Sequence, residues 1–558
     1  MICPGAQKRT FVKYGVAFAI GLLLLQPIAM NAQTNPKKAD PLEGLDEYIR
    51  QGMLECKLPG FSIAIVKDDS VVLAKGYGVR EYGKTAPVDD HTIFAIGSTT
   101  KAITATALGI LVDEGKLNWD DPVVNHLPAF QLYDPWTTRH TTIRDLLTHR
   151  ADTNPDLLPA VTTLDRDEVM HRLRYMKPDG PFRARFSYNN VMITVAGQVL
   201  AAAAGMSWDD FVRTRVFQPL GMKESYTTLD ALWNREDIAP CFLCDLENRK
   251  VDIEQARNGA NVALGHMVTQ DGVNVLAPRR YDNIGPAGGE LSSSARDMAQ
   301  WLKLQVQSGI YNGKRIISAR ALEETHSPQV LLNQETEYFP RADMKPVAYG
   351  MGWFLDDYRG TRIVWHSGGV LGYRALIGLI PEKHVGVVIL SNAFMSPLPP
   401  ALMMRIFDAY LGVPERGWSK EEMAPTREME QKARAAESSL EGLQIRGTHP
   451  ALPLERYAGN YESPVYGTVN VKLENGALVL RFPGAQVADL KHWHYDVFRM
   501  KLRGPLDAGL FVTFSIDLKG DVAEMALDST PTIAVTSPSA RVERFSKVPE
   551  QAKSGTPQ

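Results

Sequence analysis

Phe94-Ala95-Ile96-Gly97-Ser98-Thr99-Thr100-Lys101-Ala102-Ile103-Thr104 is the stretch on which the reading of this chain turns. The apolar run before Ser98 predicts a buried approach, Gly97 permits close packing, and residues 102–114 continue with helical spacing. Ser98 is therefore expected on the first turn of a helix, with Lys101 three residues later on the same face. A hydroxyl at a helix N-terminus beside an amine has the makings of an activated nucleophile. In isolation the same letters also describe an N-capping serine and a solvated lysine. The rest of the chain decides between the two.

At 558 residues the chain exceeds one ordinary domain, and 44% hydrophobic, 22% charged and 8% aromatic residues are a globular composition. Its 61 basic and 64 acidic residues leave a net charge of −3, without a long basic run, which excludes the electrostatic footprint of a nucleic-acid binder. Lys8, Arg9 and Lys13 precede an apolar stretch at 16–25, and Ala29-Met30-Asn31-Ala32 supplies small residues after it. This predicts a signal peptide over 1–32; the apolar run is short for a membrane span. Cleavage removes three positive and no negative charges, so −3 becomes −6. It leaves no integral membrane segment and implies an exported protein, periplasmic or secreted. Cys56, Cys241 and Cys244 then remain, too few for a disulfide framework. Cys241-Phe242-Leu243-Cys244 has CxxC spacing without a second pair to complete a zinc site, and reads as a local disulfide or two idle thiols. His492 and His494 read as surface residues of a strand rather than metal ligands. No metal or cofactor is expected.

Helical spacing at 42–54 is followed by two strands, 61–66 and 71–74, joined by Lys67-Asp68-Asp69-Ser70. Residues 98–300 are mainly helical, with segments at 98–114, 142–147, 189–204, 208–216 and 294–307. Strands return at 349–355, 361–365, 373–380 and 385–390, and a helix at 401–410 closes the region. Strands at both ends with helices between predict an α+β fold, in which the N-terminal hairpin joins one antiparallel sheet with the later strands beside an all-helical lobe. Residues 415–448, rich in Glu, Lys, Arg and Ala, read as a solvated helical linker with its helix at 426–443. Strands expected at 468–473, 477–482, 497–502, 511–518 and 522–527, with hairpin signals at Asn475-Gly476 and Lys519-Gly520, predict a small antiparallel barrel over 449–548 and a tail after it.

An acyl-transfer serine site needs a nucleophile, a proton acceptor, a group that tunes the acceptor, and two donors for the oxyanion. Ser98-Thr99-Thr100-Lys101 resembles the Ser-x-x-Lys motif of serine β-lactamases and penicillin-binding proteins. Tyr188-Asn189-Asn190 resembles the Tyr-x-Asn motif of the class C branch, and His366-Ser367-Gly368 its Lys-Thr-Gly or His-x-Gly motif, all in the family's order. Leu58-Pro59-Gly60, Thr142 to His149, Pro286-Ala287-Gly288-Gly289 and Tyr349-Gly350-Met351-Gly352-Trp353 resemble family signposts. The likeness spans about residues 45–410, inside a hydrolase domain taken as 33–414, and the end barrel is similar to the lipocalin-like domain of many such hydrolases.

That resemblance implies a β-lactamase/transpeptidase-like fold. It also implies roles: Ser98 as nucleophile, Tyr188 and Lys101 sharing proton transfer, and Asn190 orienting Lys101 and a substrate amide. The backbone N–H groups of Ser98 and Gly369 would form the oxyanion hole, with His366, Ser367 and Gly368 facing substrate. Two departures stand out. Arg150-Ala151-Asp152-Thr153 replaces the usual Thr-Ser-Gly after His149, and His366 replaces the lysine that binds a β-lactam carboxylate. The implied activity is hydrolysis of amide bonds in small peptides, D-residue-containing ones included. An esterase, a weak β-lactamase or a non-catalytic binder of penicillin or cell-wall peptides are the alternatives, and the barrel is a candidate surface for homo-oligomers.

Overall fold

The computed structural model describes residues 40–151, 157–241, 255, 257, 259–269, 272–332, 344–394, 396–414, 416–483, 486–503, 510–528 and 542–549. The expected signal peptide, Cys244 and Asp152-Thr153 lie outside them. Cys241 is buried and disulfide-bonded.

Eight strands form the central antiparallel sheet: β1 (Gly60–Lys67), β2 (Ser70–Gly78), β3 (Val330–Leu331), β4 (Met344–Tyr349), β5 (Phe354–Tyr358), β6 (Thr361–Val370), β7 (Tyr373–Ile380) and β8 (Val385–Ser391). Their order is β2-β1-β8-β7-β6-β5-β4-β3. The N-terminal hairpin thus joins the late strands, Ala64 pairing with Val388. β1, β7 and β8 carry apolar residues on both faces because helices cover both sides. Ala295–Val306 lies over Gly386, and Leu398–Leu411 lies over Gly378 on the opposite face.

Beside the sheet stands the helical lobe. Its central helix, α1 (Thr100–Asp113), is buried from Thr100 through Leu111, so its apolar residues face neighbours all round. It packs against α2 (Asn190–Ala204), whose N-cap Asn189 accepts the Met192 N–H at 3.0 Å and whose C-cap is a left-handed Gly205. The helix expected over 208–216 is Trp208–Phe211 followed by one wider-wound stretch, Val212–Phe217.

Two expectations along the sheet need correction. The single strand over 349–355 is the end of β4 and the start of β5, reversed at Gly350-Met351-Gly352, where Gly350 N–H bonds Trp353 O at 2.8 Å and Gly352 takes φ +81°. Burial of Trp353, stacked on Trp301 at 5.6 Å between ring centroids, draws the chain inward there. β6 does not stop at Trp365 but runs on to Val370, so His366 to Gly369 lie within a strand. Gly368 there serves close approach rather than a turn.

The helix expected over 426–443 starts at Trp418 and runs to Gly442. It is less solvated than its composition implies. Trp418 is 1% exposed and donates Nε1–H to Asp408 at 2.6 Å, while near the other end Leu440 packs with Trp493 and Phe511. Eight further strands close an up-and-down barrel: Gly459–Ser463, Gly467–Glu474, Ala477–Arg481, Val487–His494, Val497–Leu502, Leu510–Ile516, Val522–Asp528 and Val542–Lys547. The first pairs with the last through Tyr461 and Lys547. The first, fourth and eighth had no clear alternation in the sequence. Buried Tyr461, Val469, Phe498, Phe514, Met525 and Phe545 belong to its packed core. The barrel meets the helical lobe at its first turn, where Arg172 Nη1 donates to Val465 O at 2.8 Å.

Candidate active site

Ser98 sits in a single tight turn, Gly97–Thr99, that leads straight into α1. The short strand Ile93–Ala95 delivers it, paired with Ser292–Ser294, and Ile96 N–H bonds Leu291 O at 3.0 Å. Thr99 and Thr100 return their hydroxyls to the Ile96 and Gly97 carbonyls at 2.8 and 2.7 Å, which tightens the turn. The backbone around it is packed too closely for side chains. A Cβ on Gly368 would stand 2.0 Å from Ile96 O, and one on Gly288 2.0 Å from Gly97 O. These glycines bring β6 and the 281–291 segment against the nucleophile turn, with Gly368 and Gly288 both beside Ser98 N. Gly368→Ala is expected to cut activity at least about tenfold and to cost about 1–3 kcal/mol of stability, checked by kcat/KM and thermal melting.

Lys101 is fully buried. Its Nζ lies 2.9 Å from Ser98 Oγ, 2.6 Å from Asn190 Oδ1 and 2.8 Å from Ala287 O, and 4.7 Å from the centre of the Tyr188 ring. The turn, the first residue of α2 and the segment before Asn189 therefore converge on one amine, as the spacing of motifs 90 residues apart could not itself have shown. Two of these partners, a carbonyl and an amide oxygen, can only accept. The amine's N–H bonds are directed at both of them and at the serine Oγ.

Tyr188 is half-buried against His149, ring centroids 4.5 Å apart. His149 is fully buried, holds a left-handed backbone at φ +57°, and accepts the Asn189 N–H on Nδ1 at 3.0 Å. Its remaining proton thus sits on Nε2. Burial, then the nearby Lys101 and His366, hold its pKa well below the usual histidine value. His149, the last residue of one of the signposts, packs in an aromatic cluster with Tyr188, Phe186 and Tyr349.

His366, expected to face substrate, is 1% exposed, with Nε2 3.0 Å from the Tyr349 hydroxyl and Nδ1 2.6 Å from Ser367 O. Burial, reinforced by Lys101, pushes its pKa down to about 3, so the ring is neutral near pH 7. Tyr349 and Phe354 surround it because β5 pairs with β6 and β4 with β5. Of the same motif, Ser367 is half-buried, Gly368 buried and Gly369 exposed. A Cβ on Gly97 would come within 2.8 Å of Gly369 N, which puts that amide at the nucleophile turn.

Arg150, the other departure, is engaged elsewhere. Its guanidinium meets Asp145 at 2.7 Å, and Arg183 meets the same fully buried carboxylate at 2.5 Å. Asp145 also closes a capping box with Thr142. One carboxylate thus staples the loop after His149 to the segment leading to Tyr188, where Arg183 N–H and Ser187 N–H bond the Arg150 and His149 carbonyls. Sequence reasoning quoted Ala287 only as a signpost and missed its carbonyl as a lysine partner; the Gly288-Gly289 pair that follows was the available signal.

A hydrolase of unguisins, ungD′ from Aspergillus campestris (strain IBT 28561), is 28% identical over 465 residues, 77% of this chain and 78% of that protein. Protein flp from Staphylococcus aureus (strain MW2) is 23% identical over 63% of each chain. The octameric penicillin-binding protein homologue from Pyrococcus abyssi superposes with a TM-score of 0.55 at 24% identity, covering 90% of this chain and 99% of that one, which shows a shared fold. Residues 443–545 match a domain of unknown function (DUF3471), and residues 45–410 match the Beta-lactamase family. With a match across most of its length and a Ser-x-x-Lys pair meeting Asn190 in a buried site, the chain belongs to the Beta-lactamase family and is a serine hydrolase.

Proposed function

We propose that this chain is an exported amidase or peptidase that cleaves amide bonds in small peptides, D-residue-containing ones included, through an acyl-Ser98 intermediate. The observation that carries the reading is the contact of Lys101 Nζ with Ser98 Oγ at 2.9 Å inside a buried site. Ser98 Oγ attacks the scissile carbonyl carbon while its proton passes to the Lys101–Tyr188 pair. The carbonyl oxygen, now negative, takes hydrogen bonds from the N–H groups of Ser98 and Gly369. Collapse breaks the C–N bond, the amine leaves with the proton held by the pair, and water then cleaves the acyl ester by the same steps.

Neutral His366 offers no positive charge to a β-lactam carboxylate, which favours amides and esters over β-lactams. The test is Ser98-dependent labelling by a fluorophosphonate and by a fluorescent penicillin, followed by kcat/KM on D-amino-acid amides, short peptides, p-nitrophenyl esters and nitrocefin. Amide turnover with weak nitrocefin turnover is the expected result. Nitrocefin as the best substrate would overturn the preference, and absence of Ser98-dependent labelling by either probe would overturn the acyl-enzyme reading. Export rests on the basic and apolar pattern of residues 1–32, and N-terminal sequencing of the exported protein should begin at Gln33. Assembly of copies through the barrel is part of the same proposal, read by light scattering with and without residues 449–548.

A further inference from the structure

We propose that Glu290 is a positioning residue for the Ser98–Lys101 pair, its carboxylate clamping the main chain so that the 281–291 segment stays pressed against the nucleophile turn. The proposal rests on the serine-hydrolase reading above. Glu290 is 1% exposed and touches no reacting atom. Its Oε2 accepts the Leu229 N–H at 3.1 Å and its Oε1 the Tyr281 N–H at 3.2 Å. Two backbone donors matched to two acceptor oxygens fit a carboxylate; a protonated acid would aim its O–H at one of those N–H groups.

The clamp lies between the two places where this segment holds the site. Three residues before it, Ala287 O accepts from Lys101 Nζ at 2.8 Å, and Gly288 abuts Gly97 O. One residue after it, Leu291 O takes the Ile96 N–H at 3.0 Å. The segment also closes on itself, since a Cβ on Gly289 would stand 1.7 Å from Tyr281 O. The segment is also tied by Arg166 Nε to Asp282 O at 2.8 Å and by Thr104 Oγ1, on the central helix α1, to Pro286 O at 2.7 Å. Release of the Tyr281 or Leu229 N–H therefore loosens the carbonyl that orients Lys101.

The clamp titrates in a useful range. Burial, then Asp282, raise the Glu290 carboxyl to about 7, against the pull of the two backbone donors and Arg280. The other charges around it are paired: Arg280 and Arg235 both meet Asp230, at 2.5 and 3.1 Å, and Arg166 meets Asp209 at 2.7 Å. As pH falls through about 7, Glu290 gains a proton, one N–H loses its acceptor, and the site loosens. The expected sign is loss of activity on the acid side.

The experiment measures the rate of Ser98 labelling by a fluorophosphonate in the full chain, from about pH 5.5 to about pH 8.5, for wild type, Glu290→Gln and Ser98→Ala. Wild type should show an acid limb with its midpoint near 7. Glu290→Gln keeps one acceptor but turns an NH₂ toward a backbone N–H, and should label about tenfold slower at the alkaline end without that limb. Wild-type rate and profile in Glu290→Gln would overturn the proposal. Should that variant fail to fold, a wild-type rate independent of pH between about 6 and about 8 would overturn it equally. Labelling that persists in Ser98→Ala would instead overturn the serine-hydrolase reading.

Discussion

Ser98→Ala is expected to reduce kcat/KM by about 10⁴-fold or more while leaving the melting temperature within about 2 °C of wild type. The two outcomes separate because Ser98 contributes chemistry rather than packing. Its Oγ is the atom that would form the acyl bond, so no residual route through an acyl-enzyme survives its loss. Structurally little is withdrawn. Lys101 keeps Asn190 Oδ1 and Ala287 O, and the turn keeps the two threonine hydroxyls that tie it to Ile96 and Gly97. Steady-state kinetics on the best amide found in the substrate panel, with thermal melting of both proteins, checks the prediction. Activity within tenfold of wild type would place the nucleophile elsewhere.

Lys101→Met is expected to be as damaging to activity and, unlike Ser98→Ala, to lower stability as well. Methionine fills much of the volume of the buried lysine stem but donates nothing. Asn190 Oδ1 and Ala287 O, both within 2.8 Å of the amine, lose the donor between them. A buried acceptor left without its donor costs about 1–3 kcal/mol. Loss of the group that takes the Ser98 proton costs about 10²- to 10⁴-fold in rate. The combination is diagnostic. A fall in kcat with an unchanged melting temperature would mean that the Ala287 and Asn190 oxygens re-pair, and an unchanged kcat would move the proton acceptor to Tyr188 alone.

Much of the scaffold was legible because local chemistry and tertiary structure agree there. The β1–β2 hairpin, the helix after Ser98 and the late strands are strongly patterned, and each strand of the hairpin was recognised by its β-branched run between polar turns. Errors gathered at glycines, which the strand expected over 349–355 ran through and the strand expected over 361–365 stopped short of. Gly350 and Gly352 do reverse the chain, but Gly368 lies inside β6 to admit Ile96 O, and only the neighbouring backbone distinguishes the two uses. The barrel strand Val487–His494 was missed because it breaks alternation with a register shift between His492 and His494.

What the sequence determined by itself is the chemical inventory: a serine and a lysine at one-turn spacing, a tyrosine and asparagine 90 residues on, a histidine–glycine strand later, and the order that marks the family. Residue type and short spacing suffice for that, since helical geometry alone puts Lys101 beside Ser98. Only the tertiary structure decided which groups share the site and in what state. It turned His366 inward beside Tyr349, where lost hydration keeps it neutral, and spent Arg150 on Asp145. It also recruited Ala287 O and the Glu290 clamp from a segment almost 200 residues from Ser98. Burial and charge state depend on what packs from distant segments, and no short stretch of sequence carries that information.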